Sequence, residues 1–175
     1  KPASLNFASP GNGTVAHLTS ELFQKTAGVK FTHVPYKGAA QAATDVIGGQ
    51  VQLYMSSVPT LIGHIRNGKM RALAVSSLNR VDDLPQVPTI AESGYKGFES
   101  VTWFGFVAPA GTPKDVVTKF NAEMAKALQA ADVKKKLGDQ GADVLGGTPE
   151  QFGAQIKAEY EVYKKVVDSA KLRLE

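Results

Sequence analysis

The 175-residue chain has no cysteine. Disulfide scaffolds and thiolate metal sites are therefore excluded, and the redox compartment is left open. No apolar run approaches the roughly 20 residues that a bilayer-spanning helix needs, and no signal peptide is visible. Histidine is scarce, at three residues, and no pair has the H-x-x-x-H spacing of a zinc site. There is no G-x-x-x-x-G-K-[ST] phosphate loop, no G-x-S-x-G nucleophile elbow, and no lysine–arginine stripe interleaved with aromatics. Neither metal, nor nucleic acid, nor an enzyme nucleophile is expected. Residue 1 is Lys1 rather than Met, read as upstream sequence removed or not included. Leu174–Glu175 read as a cloning scar ahead of a purification tag and are left out of fold reasoning.

What is present is ordinary for a globular chain: 43% apolar and 21% charged residues, with a net charge of +4. The length suits one domain, or one plus a fragment. Residues 1–113 hold 9 basic and 6 acidic side chains, against 11 and 10 in residues 114–175. The mild basic excess thus sits on the half that carries a glycine-rich turn.

Pattern alternates along that half. Leu5–Ala8 reads as a short buried strand and Thr14–Ala27 as a helix, with Val15, Leu18, Leu22 and Phe23 on one apolar face and Gly28 closing it. Lys30–Val34 is a second strand, Ala39–Ile47 a helix stopped by Gly48–Gly49, Val51–Met55 a third strand, Pro59–Asn67 a helix closed by Gly68, and Arg71–Ser76 a fourth strand. Strand–helix alternation with short links predicts an α/β fold: an open, mostly parallel sheet flanked by helices, with right-handed crossovers. Residues 79–98 then form a long connection with a short helix at Thr89–Ser93, followed by the extended stretch SVTWFGFVAP. Additional C-terminal helices follow. Thr112-Pro113-Lys114-Asp115 predicts an N-cap, an N1 proline and an N3 acid, with Val117, Phe120, Met124 and Leu128 as its stripe. Ala131–Gly138 is a short basic helix, and Ala142–Leu145 a candidate strand. Thr148-Pro149-Glu150-Gln151 is a capping box opening a helix lined by Phe152, Ile156, Tyr160, Tyr163 and Val167.

The stretch SPGNGTVAHL, from Ser9 to Leu18, carries the chemistry. A strand, a glycine turn and a helix start bring unpartnered amides and a partial positive charge to one point. Glycine lets a ligand approach the backbone, and a carboxylate or phosphate can be held there without lysine. Gly11-x-Gly13-x-x-Ala16 also matches the G-x-G-x-x-A dinucleotide fingerprint. That fingerprint needs an acid about 20 residues on, and residues 31–40, FTHVPYKGAA, contain none. Lys37 could meet a 2′-phosphate instead. A plain connector turn is the third reading, and spacing does not separate these. His17 reaches back to a ligand or packs on the next element, and both stand open. His33 and His64 read as structural or surface residues. In an open parallel sheet, ligands sit beyond the carboxyl ends of the strands. Those ends are Ser9, Tyr36–Lys37, Ser56–Ser57 and Ser76–Ser77, which offer hydroxyls and amides without a proton-transfer pair. Ser57, ahead of VPTL, reads first as a helix cap.

SPGNGTVAHL, HVPYKGAAQAATDVIGGQV, GKMRALAVSS, PQVPTIAESGYKGFE, WFGFVAPAGTP and GTPEQF occur in this order. Together they resemble the periplasmic solute-binding receptors of tripartite tricarboxylate transporters, the Bug proteins, over essentially the whole chain. The resemblance covers the carboxyl-terminal part of such a receptor and implies a periplasmic-binding-protein type II-like lobe. It implies a non-enzymatic, cofactor-free, periplasmic receptor whose two lobes close on a small carboxylate solute and deliver it to membrane permease subunits. Carried over, Ser9, Asn12, Gly13, Thr14 and His17 form the second lobe's ligand loop, with Tyr36, Lys37, Ser56 and Ser57 as wall residues. Residues 1–110 correspond to that second lobe. Residues 111–175 correspond to a return segment that packs on the first lobe. Alone, this chain is expected to form a homo-oligomer, a domain-swapped dimer or a rearranged C-terminal region, and to bind its solute weakly. The competing reading is a nucleotide-dependent oxidoreductase using the Gly11–Ala16 turn.

Overall fold

The structure, a computed structural model, describes residues 5–172, so Leu174–Glu175 lie outside the described residues. Two compact units are present, residues 1–102 with 165–175, and residues 103–164.

The first unit is built on a three-stranded parallel sheet. Its elements are β1 (Asn6–Ser9), α1 (Val15–Ala27), β2 (Thr32–Pro35), α2 (Ala39–Ile47), β3 (Leu53–Tyr54) and α3 (Val58–Arg66). The strand order β2-β1-β3 puts β1 in the centre. Phe7 stands opposite His33 on one side and Leu53 on the other. Consecutive β1 residues face opposite sides of the sheet. Ala8 joins Ala42 and Val51 in a buried cluster against α2, with Val34, Tyr36, Val46 and Tyr54 packed around it. Phe7, 2% exposed, is buried among the rings of His17, Phe31 and His33. Burying a side chain of that size contributes about 2–3 kcal/mol.

α1 starts and stops where its sequence says. Thr14 is the N-cap, and its hydroxyl accepts from the His17 amide. Gly28 closes the helix in the left-handed region at φ 65°. The buried face differs from the expected one. Val15, Leu22 and Phe23 are only half-buried, whereas His17, Thr19, Ser20 and Gln24 are buried beside Leu18. A polar helix face is tolerable in a core only when each group finds a partner. Thr19 Oγ1 meets Ser100 Oγ at 2.5 Å. Gln24 accepts from the Phe31 amide at 2.7 Å and donates to Glu21 at 3.0 Å. Among the described residues no buried side-chain polar atom lacks a partner.

The expected fourth strand does not form. At Arg71–Ser76 a single parallel bridge joins Val75 to Thr89. Val75 donates to Pro88 O and accepts from the Ile90 amide, so its pairing goes to a proline-bearing loop that cannot extend a ladder. The expected helix at Thr89–Ser93 is one reciprocal turn: Thr89 N donates to Glu92 and Glu92 N to Thr89 Oγ1. Gly94, at φ 107°, ends it. The third strand shrinks to Leu53–Tyr54.

The second unit holds α4 (Lys114–Gln129), α5 (Ala131–Gly138) and most of α6 (Pro149–Ala170), whose last residues belong to the first unit. α4 begins one residue later than predicted. Pro113 is the cap, and the Thr112 hydroxyl donates back to Pro109 O instead of capping. The α6 capping box forms as predicted: Thr148 N donates to Gln151 Oε1, and Gln151 N to Thr148 Oγ1. Of the expected stripe, Phe152, Tyr163 and Val167 are half-buried while Ile156 and Tyr160 face solvent; Gln155, Glu159, Val166 and Ala170 complete the less exposed face. Residues 142–145 form no strand.

Candidate functional site

The carboxyl edge of the parallel sheet carries the candidate site. There the Ser9–Thr14 turn leaves the central strand, flanked by Tyr36–Lys37 after β2 and Ser56–Ser57 after β3.

The turn is held from inside. Ser9 is fully buried; its hydroxyl donates to Gly11 O at 3.1 Å, accepts from the Gly11 amide at 3.3 Å, and lies 2.7 Å from His33 Nε2. Gly11 O also accepts from the Thr14 hydroxyl at 2.8 Å. A Cβ at Gly11 would stand 3.3 Å from Tyr36 O, and Gly13 sits at φ 71°, so the tight path favours glycine at both places. The Tyr36 amide donates to Ser9 O at 3.1 Å, tying the β2 end to the turn.

The Gly13 amide donates to His17 Nδ1 at 3.1 Å. That bond requires the proton of a neutral His17 on Nε2, which faces Glu21 at 3.8 Å. His17 therefore does both things the sequence left open: it reaches back into the turn, and its ring stacks on His33 at 3.9 Å. Burial holds its pKa below 6.5, against the opposing pull of Glu21. Burial first, and the His17 ring second, lower His33 to about 4.

The amides of Asn12, Val15 and Ala16 have no partner among the described residues. They leave the outer mouth of the turn as a set of donors at a helix N-terminus, where the partial positive charge lies. Asn12 is exposed, and Ser9, Gly13 and His17 form the layer beneath.

The wall residues are less uniform. The Tyr36 hydroxyl donates to Asp45 Oδ2 at 2.8 Å, and this bond raises its pKa. Lys37 is exposed. Ser57 is the N-cap residue of α3 by backbone geometry, but its hydroxyl pairs with Thr60 Oγ1 at 2.9 Å rather than with a helix amide. Ser56 lies beside the Tyr54 hydroxyl. Ser76–Ser77 drop out of the strand-end set, because Ser76 donates to Ser100 O and Ser77 to Asn79 O. His33, read from sequence as structural or surface, stands inside the turn's support. Its alternation with Phe31 is visible in the sequence, but the pairing of β2 with β1 that aims it at Ser9 is not. No cluster of three metal-ligating side chains occurs among the described residues.

Comparison with known proteins gives a concordant result. A family model described as the tripartite tricarboxylate transporter family receptor matches residues 1–172. A UPF0065 protein from the tcbD-tcbE intergenic region of Pseudomonas sp. strain P51 is 44% identical over 95% of this chain and 50% of its own length. Protein BugT of Bordetella pertussis is 37% identical over 95% of this chain and 51% of its own length. The chain thus spans about half the length of the curated relatives it matches. Among solved structures, R. palustris Rpa4515 with adipate is 36% identical at TM-score 0.87, over 98% of this chain and 57% of that one. MatC (Rpa3494) from Rhodopseudomonas palustris with bound malate is 32% identical at TM-score 0.77, over 94% and 57%.

Proposed function

The chain belongs to the tripartite tricarboxylate transporter receptor family, and from that premise we propose that its Ser9–Thr14 turn is one jaw of a binding site for a small carboxylate solute. The observation that carries this reading is the turn itself, whose Asn12, Val15 and Ala16 amides stand unpartnered at the N-terminus of α1. Such donors suit a carboxylate, whose oxygens each accept more than one bond. Asn12 and Thr14 are the contact side chains. Gly13 and His17 shape the loop beneath them, Ser9 anchors it, and Tyr36, Lys37, Ser56 and Ser57 border it. The adipate and malate held by similar structures supply the solute class.

In this reading the chain works without catalysis. It is the second lobe, residues 1–110, and a return segment, residues 111–175, of a periplasmic receptor. A complementary lobe closes over the solute, and the closed receptor hands it to a membrane permease. Binding by this half of the clamp alone is weak, since only one set of donors is engaged.

Thermal unfolding with adipate, malate and NADP(H) at millimolar concentrations tests the proposal. Stabilisation grows as ligand exceeds Kd, so weak binding registers as a rise in Tm. A rise with the dicarboxylates is expected, and Thr14→Ala should lose it. The same variant should cost about 1 kcal/mol through the lost N-cap, read as a lower urea midpoint. A rise with NADP(H) alone would replace the receptor reading with the oxidoreductase one.

A further inference from the structure

Three rings meet beneath the turn, one from each element that holds it. Phe7 comes from β1, His33 from β2 and His17 from α1. His33 stacks on Phe7 at 4.6 Å and on His17 at 3.9 Å, each with planes 17° apart. The two histidines grip adjacent points of one loop. His33 Nε2 reaches the buried Ser9 hydroxyl, and His17 Nδ1 holds the Gly13 amide. One holds a backbone amide of the turn directly, and the other holds the hydroxyl that bonds Gly11.

From this geometry we propose that His33 is a positioning residue of the carboxylate turn, acting through Ser9 and the His17 ring, and that the stacked pair makes the turn's grip proton-sensitive. The inference rests on the carboxylate reading for what the turn holds, but the latch stands on this chain's own contacts. The chemistry follows from the lone pair. His17 accepts from Gly13 only while Nδ1 is bare. A proton there turns the contact into two donors facing each other, and the Gly13 amide must let go. A charge on His17 also lies 3.9 Å from the His33 ring, so His33 resists protonation further once His17 has taken its proton.

Among the described residues, the charged groups around the pair are few. On α1, Glu21 faces His17 Nε2 at 3.8 Å and favours a proton there. On β2 the titratable neighbour is His33 itself. β1 contributes Phe7 and Ser9, neither of which titrates in this range. The depressed values of both histidines agree with a stack that is neutral near pH 7 and takes up protons only in acid.

The test is an NMR titration of the unliganded chain from pH 7.5 to 4, following the Gly13 amide and the ring signals of His17 and His33. The Gly13 amide should shift in step with the His17 ring, with a midpoint below that of an ordinary histidine. In His33→Gln, which keeps a donor for Ser9 but removes the ring stacked on His17, the burial that lowers His17 is relieved and that midpoint should move upward. His33→Phe keeps a ring but loses the Ser9 contact, and should weaken adipate binding about fivefold at pH 7.5, the loss of one hydrogen bond. Wild-type adipate binding should fall as the Gly13 amide shifts. A Gly13 amide that ignores the ring titration, or an unchanged midpoint in His33→Gln, would overturn the proposal. Should His33→Phe fail to fold, His33→Gln still decides. Should neither adipate nor malate bind the wild type, the carboxylate reading fails, while the unliganded titration still judges the latch.

Discussion

His17 and His33 tie stability to pH as well as shaping the turn. Both have folded pKa values below 6.5, that of His33 at about 4. As pH falls, the unfolded chain therefore takes up protons first, and stability drops wherever the unfolded state binds more of them. The contribution is intact above pH 6.5, declines below it, and levels off once His33 is itself protonated near 4. Each unit of pKa difference corresponds to 1.36 kcal/mol, and partial solvent access brings the expected loss to the order of 1–2 kcal/mol. Urea unfolding at pH 7 and pH 4.5 should show a lower midpoint in acid, and His33→Gln should narrow the gap.

Among the elements, α6 offers the sharpest single-atom test. Gly105 lies beneath the Phe152 ring, and a Cβ there would approach Phe152 Cε1 to 2.8 Å. Phe152 also meets Trp103 edge to face at 4.9 Å. Gly105→Ala should push the ring aside, at about 1 kcal/mol because a half-exposed ring can swing, and change the Trp103 emission. The same elements show what a sequence conveys. α1, α2 and the α6 capping box were legible because caps and glycine stops are local chemistry: Thr14, Gly28, Gly48 and Thr148 act on their immediate neighbours. The Arg71–Ser76 strand was not, because alternation says nothing about a partner, and the partner there carries Pro88. The polar buried face of α1 was hidden for a related reason. His17, Thr19 and Gln24 become core residues only through Gly13, Ser100 and Phe31, contacts that periodicity does not record. At the candidate site the glycine turn was legible and its support was not. His33 and Ser9 meet across 24 residues of sequence.

At the scale of the whole molecule, the second unit departs from what an independent domain needs. Between residues 103 and 164 no side chain is fully buried. Phe104, Phe106, Val107 and Leu145 are at least 70% exposed, and Phe120 is 50% exposed. Exposed apolar side chains in that number suit an interaction surface, and we propose that in this chain alone they drive self-association. Sedimentation velocity over a hundredfold concentration range should show a mass rising above 18.6 kDa. Phe106→Asp combined with Phe120→Asp should return it to the monomer, and a wild type that stays monomeric throughout would refute the idea. The chain's single tryptophan sits in this same unit, where Trp103 Nε1 donates to Glu159 at 2.8 Å. Intrinsic tryptophan emission is therefore a private reporter of residues 103–164, while the unit that carries the ligand turn holds no tryptophan. Emission and far-ultraviolet dichroism recorded on one melt would say whether the two units come apart together or in sequence.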